Sequence, residues 1–234
     1  MTAARKTGEK GNRVAPLMGR IGHKTSKPLL LRGEICGTNK STSCRRVDKR
    51  AIRSVARALR LSARAMLPFY REVAASGRFA DRWSRSIVEL RLDDMKRQLR
   101  EASPLAGRLE QGLGTNGIGY FIDYPSPGTK DAYATGITIP PGSVQFYFAP
   151  GAHRAVAAAL LPFCYALATS REYAFSLASA MARTDRRALV RFVRSRIRTA
   201  DLRAIDGAPG YLALDFKPQG SKYIYRNLFF REGL

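Results

Sequence analysis

An α+β fold, with amphipathic helices packed on a small, mostly antiparallel sheet, follows from three features of this 234-residue chain. Long segments repeat apolar side chains at helical spacing. Short aromatic and β-branched runs stand between them, and Pro/Gly clusters separate those runs as turns do. A hydrophobic content of 45% suffices for a sizeable core.

Residues 1–42 hold Gly8, Gly11, Gly19, Gly22, Gly33 and Gly37, with Pro16 and Pro28 and scattered basic side chains. No helical or strand period persists there apart from Leu29-Leu30-Leu31, so the segment is expected to be a flexible basic nucleic-acid-binding arm. Alone it gains too little apolar burial to offset its ordering entropy. Residues 43–234 are read as a single body with a Gly-rich connection near 107–119.

Within the body, helices are expected over 45–67 and 79–102, the second ending before Pro104. Strands are expected over Ile118–Tyr124, Tyr133–Ile139 and Ser143–Phe148, punctuated by Pro125-Ser126-Pro127-Gly128 and Pro140-Pro141-Gly142. Alternation in the third would send Phe146 and Phe148 to one side and Tyr147 to the other. Helices follow from about Ala152 through Pro162 to about Ala180, and from Thr184 to Thr199. Two last strands, Tyr211–Phe216 and Tyr223–Phe230, share a turn at Lys217-Pro218-Gln219-Gly220. Their parallel or antiparallel sense is left open by the sequence.

Charge carries the functional signal. Lys and Arg number 41 against 18 Asp and Glu, a net charge of +23, of which residues 1–60 hold +13 and residues 181–200 hold +6. Such concentration points to a polyanionic partner bound through salt-sensitive electrostatics. In the first helix Arg46, Arg50, Arg53, Arg57, Arg60 and Arg64 recur at spacings of four and three, with Arg45 and Lys49 adding to the basic side. Ile52, Val55, Leu59, Ala63 and Met66 form a separate apolar stripe. The late helix repeats the plan with Arg183, Arg187, Arg191, Arg194 and Arg198 against Leu189, Val190, Val193 and Ile197.

Arginine rather than lysine dominates both stripes, and its rigid fork of donors suits phosphate oxygens. A solvated face mixes signs more evenly. Zinc-finger spacing, a leucine heptad after the first basic helix and an RNA-binding strand signature are all missing from the sequence, so contact with backbone phosphate rather than base readout is expected.

Chemistry is harder to assemble. His153, with Asp123, Asp131 and Lys130, is the best set for a metal-independent nuclease or nucleic-acid-directed toxin, and Glu172 is a further nearby carboxylate. Glu89 and Asp93 stand one turn apart, but Arg85 and Arg97 offer them ion pairs. Gly112, Gly114 and Gly117 fit the spacing of a dinucleotide loop, yet they precede a strand instead of opening a helix. No cofactor and no metal site is expected. Cys36, Cys44 and Cys164 form no Cys-x-x-Cys pair, which suits a reducing compartment or virion interior. The apolar stretch Ala155–Ala168 contains Pro162 and is short for a membrane span.

The sequence therefore predicts a structural protein that binds the backbone of RNA or single-stranded DNA. A self-assembling viral coat or genome-packaging role leads, with a ribosome-like ribonucleoprotein subunit as the alternative. Self-association or unlike protein subunits in a large assembly follow as partners. The matching locations are the virion, the cytoplasm or an organellar ribonucleoprotein particle.

Overall fold

The computed structural model describes residues 48–126, 128 and 130–232. The expected arm, and Arg45 and Arg46 of the first stripe, lie outside them.

Helix α1 (Lys49–Ala75) starts at Asp48, whose carboxylate accepts the Arg50 N–H at 2.8 Å. It runs past the expected end at 67 and carries Pro68 inside it. The proline forfeits one helical hydrogen bond, but Phe69, Tyr70 and Val73 beyond it are buried and hold the last turns in place. Ser76 closes α1 and caps α2 (Gly77–Val88) by accepting the Phe79 N–H.

The single helix expected over 79–102 is broken after α2. Leu90 takes a left-handed φ of 57°, and α3 (Leu92–Ala102) restarts the chain in a new direction. Ser103 then caps the short α4 (Pro104–Leu109) and donates its hydroxyl to Ala65 O of α1 at 2.7 Å.

Strands β1 (Gly112–Thr115), β2 (Gly119–Pro125) and β3 (Ala132–Thr138) form one antiparallel meander. Helices α5 (Pro150–Thr169), α6 (Arg171–Ala182) and α7 (Arg186–Arg194) carry the chain to the far edge of the sheet. There β4 (Leu202–Ala208), β5 (Tyr211–Phe216) and β6 (Tyr225–Arg231) return as a second meander. The order β1-β2-β3-β6-β5-β4 is antiparallel throughout, so the last strands are antiparallel and β6 closes on β3 at the centre.

Register places Tyr120, Ile122 and Tyr124 of β2 beside Ile137, Thr135 and Tyr133 of β3. It continues through Asn227, Phe229 and Tyr225 of β6 to Leu214, Leu212 and Phe216 of β5. These side chains are buried and form the helix-facing side. The opposite face carries Phe121, Asp123, Ala134, Ala213, Asp215, Arg226, Leu228 and Phe230. Packing of α1 along α5 supplies the helical layer of the core: Ile52, Leu59, Ala63 and Met66 from α1, and Val156, Leu160, Phe163 and Leu167 from α5. By length and composition α5 is also apolar enough to cross a membrane.

The strands also differ from expectation. Ser143–Phe148 is not a strand: Phe146 has φ 48°, which breaks the extended path, and Phe146 and Tyr147 are exposed while Phe148 is buried. The Gly-rich connection contains β1, whose main chain pairs with β2 although Gly112 and Gly114 supply no side chain. Strand β4 has no counterpart among the expected strands, because Leu202 and Ile205 face the core across a register shift that destroys strict alternation.

Candidate nucleic-acid interface

Helix α1 turns its apolar stripe inward, and the arginines at the intervening positions emerge along its outer side. Arg50, Arg53, Arg57 and Arg64 are exposed and Arg60 is half-buried. No ion pair joins any of these to a described carboxylate. The ion pairs found involve Arg91, Lys96, Arg97, Arg226 and Arg231 instead, so no close ion pair within the described body engages the α1 stripe.

A groove of about 560 Å³ opens where α1 passes α6. Ala56 contributes its floor; Arg53, Arg57 and Arg60 line one wall, and Arg171, Glu172 and Phe175 line the other. The α6 wall follows from helix geometry. Ser170 caps the helix by accepting the Tyr173 N–H at 3.0 Å, and Arg171 and Phe175 then stand one turn apart on the same side. Arg60 Nε is enclosed and has no hydrogen-bond partner among the described residues, an unmet donor at the edge of a cationic groove.

The second stripe is divided. Only Arg187, Arg191 and Arg194 of the five expected residues lie on α7; Arg183 caps the end of α6, and Arg198 follows α7 in an irregular segment. Arg194 is engaged by the fold: it donates to Thr199 O at 3.1 Å and to Leu202 O at 2.6 Å, tying the end of α7 to β4. Arg191 lies over the Phe192 ring and Arg196 over Tyr173. Arg196 and Arg198, with Ser195, Thr199 and the small Ala158 and Ala159 of α5, line a second groove of about 460 Å³.

The nuclease set is not brought together. His153, near the start of α5, is fully buried, with Nε2 3.1 Å from the Tyr120 hydroxyl and Nδ1 without a partner. Desolvation lowers its pKa to about 3, which keeps the imidazole neutral. Asp123 alternates with Tyr120 and Tyr124 along β2 and therefore points away from the helices and from His153. Burial, then the nearby Glu232 and Glu110 carboxylates, raise its pKa to about 6. Asp131 pairs with Arg231 at 2.7 Å, and Lys130 is exposed in the β2–β3 loop.

Of the acidic pair on the second expected helix, Glu89 is engaged in an ion pair and the expected Arg97–Asp93 pair does not form. Glu89 meets Arg91 rather than Arg85, and Arg97 reaches Asp94. Among the described residues no group of His, Cys, Asp or Glu is arranged to hold a metal ion. Cys164 is buried, which pushes its thiol up to about 12.

Arg171 and Phe175 do not stand out in the sequence pattern, because the expected single helix from about Ala152 to about Ala180 merges α6 with α5 and gives α6 no stripe of its own. The signal was present as a serine cap at Ser170 followed by Arg and Phe four residues apart. Comparison of the chain with known protein families, with curated proteins and with solved structures finds no match.

Proposed function

We propose that this protein binds the phosphate backbone of RNA or single-stranded DNA and acts structurally. The observation that supports this reading is the α1 stripe: successive turns present guanidinium groups that form no ion pair with a described carboxylate, and three of them converge with Arg171 on one groove. Uncompensated like charges held this close repel one another. A polyanion relieves that repulsion and releases its own counterions in doing so.

Binding is expected to vary little with sequence and to fall steeply with salt. With about six phosphates engaged on a single strand, log affinity falls against log salt with a slope of about −4. A polarisation titration over a salt series measures it, and a flat dependence overturns the reading. A coat or packaging role adds repeated symmetric contacts between copies. Light scattering with and without nucleic acid separates that role, which gives uniform closed particles, from a ribonucleoprotein subunit that stays monomeric on structured RNA.

A further inference from the structure

We infer that the α1–α6 groove accepts an unpaired nucleotide, with its phosphates on the α1 arginines and its base stacked on Phe175. The inference rests on the backbone-binding reading and adds to it a discrimination against duplex.

Phe175 is 38% exposed on an otherwise charged rim, where an apolar ring gains nothing from water. It belongs to no ring pair among the described aromatics. Neighbouring rings are treated differently: Phe192 and Tyr173 each have an arginine over the face, at 5.6 and 5.4 Å. No described guanidinium or lysine ammonium covers Phe175, so no cation competes for its ring although Arg171 shares its side of α6.

The opposite wall matches the other half of a nucleotide. Arg53 and Arg60 are seven residues apart, a rise of roughly 10 Å along the helix, which is long enough to meet more than one phosphate of a strand. Arg53, Arg57 and Arg60 all line this wall, and guanidinium donors suit phosphate oxygens, which are acceptors only. Glu172 makes no ion pair with the groove arginines among the described residues. Its carboxylate repels phosphate and accepts from sugar hydroxyls or base amino groups, which places the phosphates toward α1 and the nucleoside toward α6. A groove of about 560 Å³ is of the size that holds small organic ligands. Base–aromatic stacking needs an open π-face, which paired and stacked bases in a duplex do not offer.

The test uses the full chain with Phe175→Trp and Phe175→Ala. Trp83, the single tryptophan, is fully buried and out of a ligand's reach, so the unaltered protein supplies its constant background and the added emission of a tryptophan at 175 reports the groove. Single-stranded oligonucleotides are expected to quench the Phe175→Trp emission, whereas heparin and duplex of equal length bind without that quench. Phe175→Ala is expected to lose about tenfold in single-strand affinity and nothing toward heparin. Unchanged single-strand affinity in Phe175→Ala, or equal quenching by heparin, overturns the inference while leaving salt-dependent backbone binding intact. If the unaltered protein binds neither oligonucleotide nor heparin at low salt, the backbone reading fails and the inference falls with it.

Discussion

The Tyr120 hydroxyl and His153 Nε2 meet 3.1 Å apart in an aromatic shell to which Phe69, Phe148 and Trp83 contribute. That contact joins the sheet to the start of α5. It also explains why the best acid–base candidate in the sequence is a packing residue: an imidazole enclosed by rings cannot be reached by a substrate or carry a proton cheaply.

Acid should destabilise the fold through this residue. The folded pKa, about 3, lies below the ordinary 6.5, so the unfolded chain binds the proton first. Stability is complete above about 6.5 and is lost as pH falls toward 3, by about 1.4 kcal/mol per pH unit from this group. His153→Gln keeps a hydrogen-bonding partner for Tyr120 and removes the titration. Urea midpoints at pH 7 and pH 4.5 are expected to differ less in the variant than in the unaltered chain.

Asp123 bears the opposite sign. Its folded pKa is raised from 3.8 to about 6 by burial and by Glu232 and Glu110. Its contribution is present below the unfolded value and lost as pH rises through about 6. Asp123→Asn is therefore expected to raise the melting temperature at pH 7.5 and to leave it unchanged at pH 3.5. A gain at both pH values would point to a packing effect instead.

The elements that the sequence made legible are those whose own side chains define a face. The inner stripe of α1, the strands β2 and β3 and the hairpin of β5 with β6 all show a regular apolar period. Those it hid are defined by partners. Strand β1 has glycines and is a strand only because β2 supplies hydrogen bonds, and β4 loses its alternation at a bulge. Ser143–Phe148 has strand-like composition but no pairing partner, and instead delivers Phe148 to the cluster around His153. The groove was half legible: spacing gave the α1 arginines, while Arg171 and Phe175 depend on how α6 crosses α1, which no local pattern encodes.

Gly136, in the central strand β3, should tolerate no side chain. A Cβ there would overlap the Tyr120 carbonyl oxygen, a backbone atom held by the β2–β3 ladder. Gly136→Ala is expected to cost on the order of 3 kcal/mol in chemical denaturation, the upper part of the usual range for overpacking. At Gly114 the same change meets nothing within 4 Å. Gly114→Ala should leave the unfolding midpoint equal or slightly raised, because alanine narrows the unfolded ensemble.

Arginines that serve the fold and arginines left free for a polyanion should separate experimentally on α7. Arg194 satisfies two carbonyls, Thr199 O and Leu202 O, so Arg194→Gln is expected to lower stability by about 1 kcal/mol. Arg187 is exposed on the same helix, and its side chain makes no hydrogen bond or ion pair with a described residue. Arg187→Gln should leave the melting temperature unchanged. If Arg187 touches a phosphate, its loss reduces the steepness of the salt dependence by about 0.7 on single strands. Thermal melts and salt titrations on both variants give the comparison. The assignment fails if Arg194→Gln melts normally while Arg187→Gln is the destabilised protein, because the two carbonyl contacts would then hold nothing together.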